Sequence, residues 1–225
     1  IGQLRVPAEW IAVVNPGIEA PEDEPVCDRG PRVPVIGTAG PLDAGSGLVT
    51  FLNAARKVVD AGVDAEFVIA GRGEDEVDLR RRAHRLKIAD RVTFAGIPVV
   101  GLRFWSVLDV YCQTTLAPSV GRPLATALAF GVPSIASDID GLRALVDHGR
   151  NGLRVPPGDS SALAARILEL LADPDGVRRL GREGREMILR EFHPETEALL
   201  LSEVYRDALD RPSSPSGMHR PALSA

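Results

Sequence analysis

Apolar and polar positions along this chain come in blocks rather than in strict alternation. Short apolar runs recur, each closed by glycine: Val33-Pro34-Val35-Ile36 before Gly37, Phe67-Val68-Ile69-Ala70 before Gly71, and Val92-Thr93-Phe94-Ala95 before Gly96. Leu108 to Cys112, Pro133 to Ala136 and Gly152 to Val155 repeat the texture. These six runs predict buried strands. Helical spacing fills the intervals. Leu48, Leu52, Ala55 and Val59 share one helix face, and Leu79, Ala83 and Leu86 share another. The second of these helices opens on Glu74, Asp75 and Glu76 and carries Arg80, Arg81, Arg82 and Arg85 further on, an order that suits the helix dipole. Leu124 to Phe130 predicts a short helix stopped by Gly131 and Pro133. Three more helices close the chain. The first starts behind Asp159 as N-cap, with Leu163, Ile167, Leu170 and Leu171 inward. The second runs from Asp175 to Glu191. The third runs from His193-Pro194, with proline in the first turn, to Leu209. Upstream, Glu9 to Val14 predicts a short strand ended by the turn Asn15-Pro16-Gly17.

Strands alternate with helices, and no hairpin dipeptide joins two strands. That pattern predicts parallel crossovers, hence an α/β, doubly wound, Rossmann-like sheet of about six strands followed by carboxyl-terminal helices. The expected organisation is an interdomain segment and linker over residues 1–32, the sheet domain over 33–210, and a disordered Pro- and Ser-rich tail over 211–225. Doubly wound sheets take their ligands at the carboxyl ends of the strands. The glycine-rich turns after Ile36, Ala70 and Ala95 lie at such ends.

Composition narrows the classes. The chain has 225 residues, 44% hydrophobic and 25% charged, an ordinary globular balance. The net charge of -5 argues against a broad nucleic-acid-binding surface. No apolar run reaches the roughly 18 residues a membrane span needs. Cys27 and Cys112 have no metal-ligand spacing and suggest no disulfide framework, which fits a reducing, cytoplasmic setting. Basic charge is 24 Arg against two Lys, a coding bias without functional weight. The sequence begins at Ile1 without an initiator Met, as the latter part of something longer would.

The turns suggest chemistry. Gly37-Thr38-Ala39-Gly40 lets backbone approach a ligand without a Cβ in the way. A helix starting near Gly121 offers free N–H groups and a positive dipole end. Together they suit a phosphorylated ligand such as a nucleotide; tight turns at a crowded sheet edge would account for the same glycines. Gly71-Arg72-Gly73 falls short of a dinucleotide fingerprint, because Glu76 stands at the third glycine position. There is no P-loop and no Gly-x-Ser-x-Gly elbow. His84, His148, His193 and His219 are scattered, with His193 expected as a cap, so no metal site is expected and no residue is assigned as catalytic.

Several stretches resemble one family. Gly131-Val132-Pro133-Ser134-Ile135-Ala136-Ser137-Asp138, then Asn151-Gly152-Leu153-Arg154-Val155-Pro156-Pro157-Gly158-Asp159 followed by Ala162-Leu163-Ala164, resembles the carboxyl-terminal, donor-binding half of retaining GT-B glycosyltransferases. The branch containing sucrose, mannosyl and glycogen synthases is the most similar. Gly71-Arg72-Gly73, Leu79, Ala89-Asp90-Arg91-Val92, Phe94, Gly96, Asp109-Val110 and Phe192 fit the same pattern, and Val6 to Ile18 is similar to the segment joining the family's two domains.

The resemblance implies a nucleoside-diphosphate sugar as donor substrate and no separate cofactor. It also implies transfer with retention, and an acceptor domain or partner protein outside this chain. It places the donor against Gly37, Thr38, Gly40, Ser46, Gly71, Gly121, Arg122 and Thr126. Thr38 and Ser46 stand where the family carries an arginine and a lysine, and Pro118 and Thr126 where it carries a Glu-x7-Glu pair. Ala144 replaces a further glutamate, and Pro123 removes one backbone donor. Three functions stay open: a working donor domain, a non-catalytic pseudo-glycosyltransferase serving as a binding or partner subunit, and a sugar-nucleotide epimerase-like enzyme. A peripheral membrane location of the full-length protein fits the first. The stripe Leu200, Val204 and Ala208 on the last helix predicts self-association.

Overall fold

Each short apolar run is followed by enough chain to cross back over the sheet, the condition for parallel pairing. A computed structural model describes residues 11–21, 32–96 and 103–210. The elements are β1 (Val35–Ala39), α1 (Leu48–Asp60), β2 (Glu66–Ala70), α2 (Glu76–Arg85), β3 (Val92–Gly96), α3 (Arg103–Val107), β4 (Val110–Gln113), α4 (Arg122–Ala129), β5 (Ser134–Ser137), β6 (Leu153–Val155), α5 (Ser160–Ala172), α6 (Pro174–Glu191) and α7 (Pro194–Asp210). The described residues form two compact units. One holds 18–191; the other holds 11–17 and 192–210.

In the larger unit the six strands pair in the order β3-β2-β1-β4-β5-β6, all parallel. The direction of winding reverses between β1 and β4, where Ile36 pairs with Val110 and Gly37 with Tyr111. This doubly wound sheet is the fold class that the strand–helix alternation predicts.

The side chains of each strand divide between two faces. One face is a continuous apolar core of Ile36, Phe51, Leu52, Phe67, Ile69 and Ile135, closed by α1 packed on α5. Phe51 meets Phe67 edge-on at 6.1 Å, and fully burying each such side chain contributes about 1.5–3 kcal/mol. On the other face Trp105 of α3 lies against Tyr111 at 5.5 Å and near Phe130, while α4 packs on α6. Burial pushes the Tyr111 hydroxyl and the Cys112 thiol far above their ordinary ionisation ranges, so both are neutral core groups.

Several boundaries differ from the sequence pattern for physical reasons. β1 does not stop at Gly37 but runs on to Ala39. Gly37 acts there as clearance, because a Cβ would stand 2.5 Å from a Leu108 methyl. The five-residue α3 carries no periodic signal of its own and is fixed by burial of Phe104 and Trp105. The expected strand at Glu9 to Val14 is not seen over residues 11–14; Glu9 and Trp10 lie outside the described residues. Asp159 caps α5 as expected, accepting from the N–H groups of Ser161 and Ala162 at 2.9 Å. In the smaller unit His193 caps α7 through Nδ1, which accepts the Glu195 N–H, and Glu197 accepts the Gly17 N–H at 2.9 Å.

Candidate functional site

The reversal between β1 and β4 opens a crevice at their carboxyl ends, the position where doubly wound sheets bind ligands. Two connections wall it: residues 40–47 from β1 to α1, and residues 114–121 from β4 to α4. They are stitched together. The Leu116 N–H donates to the Gly45 carbonyl at 2.8 Å, and the Thr114 hydroxyl donates to the Ser46 carbonyl at 2.9 Å. Both connections end the same way. Gly47 at φ 67° and Gly121 at φ 66° cap α1 and α4 in the left-handed conformation, and neither helix has a side-chain cap. Glycine adopts that conformation without the Cβ cost.

At Gly47 a Cβ would stand 1.9 Å from the Thr114 carbonyl oxygen. At Gly121 it would meet methyls of Leu145 and Leu142 at 2.6 and 2.7 Å. The next connection joins in, since a Cβ on Gly141, just after β5, would stand 2.1 Å from the Ser119 carbonyl.

The sequence-derived site residues separate into four groups. Gly40, Ser46 and Gly121 lie on the crevice connections, and Arg122 follows as the first residue of α4. Gly37 and Thr38 lie inside β1: Gly37 is packed on Leu108, and Thr38, 2% exposed, shares the face of Ile36. Gly71 lies one strand away, with its Cβ position 1.8 Å from the Gly40 carbonyl. It is therefore the wedge that seats the β2–α2 turn on the β1–α1 turn. Thr126 is one turn into α4 and donates its hydroxyl back to the Arg122 carbonyl at 3.0 Å.

Charge is distributed unevenly around the crevice. Arg122 is exposed, and its guanidinium has no ion pair or hydrogen bond among the described residues; Arg72, after β2, has none either. The β5 side is different. Asp138, directly after β5, receives Arg143 at 2.8 Å and Arg154 at 3.4 Å. The hydrogen bond from Arg143 holds that carboxyl below the usual carboxylate range, and both arginines are committed to it. Ala144 is exposed and lines a cavity of about 180 Å³ with Arg143, Asp147, Arg150, Glu183 and Glu186, on the α6 side of the same connection.

Two features of the crevice lie outside the sequence-derived set. Asp43 accepts hydrogen bonds at 2.9 Å from both the N–H and the hydroxyl of Ser46, so an acid stands in the turn and the Ser46 hydroxyl is already engaged. An Asx residue three positions before its partner is a readable capping signal. The second feature is a buried relay. The Tyr111 hydroxyl donates to Gln113 Oε1 at 2.5 Å, and Gln113 Nε2 donates to Thr115 Oγ1 at 2.6 Å. Thr115 Oγ1 therefore accepts from inside, and its own proton is left to point elsewhere. Nothing in the sequence signals this chain of bonds. Among the described residues no group of three or more His, Cys, Asp or Glu is arranged to hold a metal, and no helix is long and apolar enough to cross a membrane.

Comparison with known proteins places this geometry. Residues 33–173 match the family described as group 1 glycosyl transferases. The GDP-mannose-dependent alpha-(1-6)-phosphatidylinositol monomannoside mannosyltransferase of Mycobacterium tuberculosis is 33% identical over 172 residues, 71% of this chain and 43% of that protein. The crystal structure of Anabaena HepE with UDP and glucose superposes with a TM-score of 0.73 at 22% identity, over 77% of this chain and 48% of that one. The carboxyl-terminal domain of a group 1 family protein from Francisella tularensis superposes at 0.66 with 18% identity, over 77% of this chain and 95% of that one. The chain spans between 37 and 46% of the length of the first curated relatives it matches. A parallel six-stranded sheet, a crevice at its winding reversal and a family match over most of the sheet unit lead to one assignment: this chain belongs to the group 1 glycosyl transferases and has the Rossmann-like architecture of their GT-B relatives.

Proposed function

We propose that this chain is the donor half of a glycosyltransferase, holding a nucleoside-diphosphate sugar in the β1–β4 crevice, with the acceptor held by a region outside these 225 residues. The observation that carries the reading is the unpaired Arg122 guanidinium at the start of α4, beside a helix terminus without a side-chain cap. An anionic diphosphate gains both the cation and the helix end there. The Thr115 hydroxyl supplies a further donor. In the transfer itself the bond from the anomeric carbon to the diphosphate oxygen breaks with its electron pair on the diphosphate, and a new bond forms to an acceptor oxygen. Cations stabilise that leaving group.

Competence in the reaction is low on this reading. Retention, which the family resemblance implies, would have to proceed without the carboxylates replaced by Pro118 and Thr126. Loss of one transition-state donor costs on the order of a hundredfold to a thousandfold in rate. The same replacements support the second reading, a non-catalytic binding subunit. Donor binding is common to both, and turnover separates them.

The test is calorimetric titration of UDP-, GDP- and ADP-linked sugars into the chain, repeated with Arg122→Ala. The expected result is binding of at least one donor, weakened about tenfold or more by the substitution, as expected for loss of a charge-assisted contact. Absence of binding by all three, or binding indifferent to Arg122, overturns the reading. Release of free sugar or transfer to an added acceptor would decide for the active enzyme.

A further inference from the structure

The turn from β2 into α2 carries a second uncommitted cation to the edge of the crevice. We propose that Arg72 is a donor-binding residue that takes the second phosphate of the nucleoside diphosphate opposite Arg122, an inference that rests on the nucleotide site proposed above. The turn bearing Arg72 is bolted to the β1–α1 wall. The Leu42 N–H donates to the Arg72 carbonyl at 3.0 Å, the Asp75 N–H to the Leu42 carbonyl at 3.0 Å, and the Gly40 N–H to the Ala70 carbonyl at 2.9 Å. Leu42 itself is buried. The glycines flanking Arg72 complete the seat. A Cβ on Gly71 would stand 1.8 Å from the Gly40 carbonyl oxygen, and one on Gly73 would stand 2.3 Å from that of Leu42. The backbone of Arg72 is therefore held against the crevice wall, and its guanidinium is the one side-chain group that Gly71-Arg72-Gly73 offers to a ligand.

That guanidinium is exposed and makes no ion pair or hydrogen bond among the described residues, not even with Glu74 or Asp75 beside it. Arg143 and Arg154, on the β5 and β6 side, are both committed to Asp138. Arg72 and Arg122 are thus the cations left uncommitted, among the described residues, where strands hand over to helices at the carboxyl edge. They flank the winding reversal. β1 lies between β2 and β4, and neighbouring strands are about 4.8 Å apart, so the ends of β2 and β4 stand about 10 Å from one another across the end of β1. Both side chains have long flexible stems, suited to closing on one ligand from two sides. Charge calls for the pair. Asp43 sets a carboxylate in the same wall, so Arg122 with Asp43 sums to zero and Arg72 makes the three net positive. Two guanidiniums also match two phosphates, and the charge that gathers on the diphosphate when the sugar bond breaks meets a cation on each side.

The experiment is calorimetric titration of the mono- and diphosphates of uridine, guanosine and adenosine into the unmodified chain, Arg72→Ala and Arg72→Lys. Arg72→Ala is expected to weaken the diphosphate about tenfold and the monophosphate of the same base less than about threefold. Arg72→Lys, which keeps the charge, is expected to stay within about threefold of the unmodified chain. The advantage of the unmodified chain over Arg72→Ala is expected to shrink between about 50 mM and about 500 mM salt. Diphosphate binding indifferent to Arg72 overturns the proposal. So does an equal loss for mono- and diphosphate, a loss confined to one base, which would make Arg72 a reader of the base, or a loss that Arg72→Lys does not recover. If Arg122→Ala abolishes binding while Arg72→Ala leaves it unchanged, the nucleotide site stands and only the role of Arg72 falls. If no nucleotide binds any variant, both fall together.

Discussion

The starts of α1 and α4 are the same backbone in opposite electrical states. Gly47 and Gly121 differ by one degree in φ and five in ψ, and both helices begin without a side-chain cap. Ahead of the first stands Asp43, satisfied within its own turn; behind the second comes Arg122, with no ion pair or hydrogen bond from its guanidinium among the described residues. The contrast separates two demands on one sheet edge. Conformation is enforced by contacts a side chain would destroy. Charge sits on exposed or half-exposed groups that can change without disturbing those contacts.

The strongest way to break the parallel is to add a methyl group to each cap. Gly47→Ala is expected to cost about 2–4 kcal/mol, since it combines a left-handed residue with backbone overlap that cannot relax. Gly121→Ala is expected to cost about 1–2 kcal/mol, because the ends of Leu142 and Leu145 can shift. Urea denaturation of both variants measures the difference, and equal losses would show that backbone and side-chain crowding weigh the same here.

A smaller effect separates capping from charge in the first turn. Asp43→Ala removes the acceptor of two hydrogen bonds and is expected to cost about 1 kcal/mol, whereas Asp43→Asn stays within about 0.5 kcal/mol of the parent. Thermal melts at one pH and one salt concentration decide this. A loss equal in both variants would mean that the charge, not the cap, steadies the turn.

The smallest effect concerns the neighbouring β5 edge. Asp138 is depressed chiefly by its hydrogen bond from Arg143, so its contribution to stability is present above the unfolded carboxylate range and is lost as pH falls through the lower folded value. Arg143→Gln is expected to raise the Asp138 titration midpoint, followed by NMR of the side-chain carboxyl, and to soften the acid limb of the stability curve. An unmoved midpoint would assign the depression to Arg154 or His148 instead.

Much of the fold was legible because buried parallel strands leave long apolar runs and amphipathic helices leave a period. The helix faces of Leu48, Leu52 and Ala55, and of Leu163, Ile167 and Leu170, are buried as their spacing predicts. Glycine misled at Gly37: in sequence a stop and a spacer look alike, and only the Leu108 side chain distinguishes them. The site was legible as turns but not as contacts. Gly40 and Gly121 lie where a strand ends and a helix begins, whereas Ser46 and Arg122 entered only through the family resemblance. That Ser46 is held by Asp43, or that Tyr111 reaches Thr115 through Gln113, depends on side-chain directions set by neighbouring strands.

The place where the Ser119 carbonyl presses on Gly141 leaves no space even for a methyl group. The loops that follow β4 and β5 therefore meet backbone to backbone at this point, and any side chain placed at Gly141 would have to push them apart.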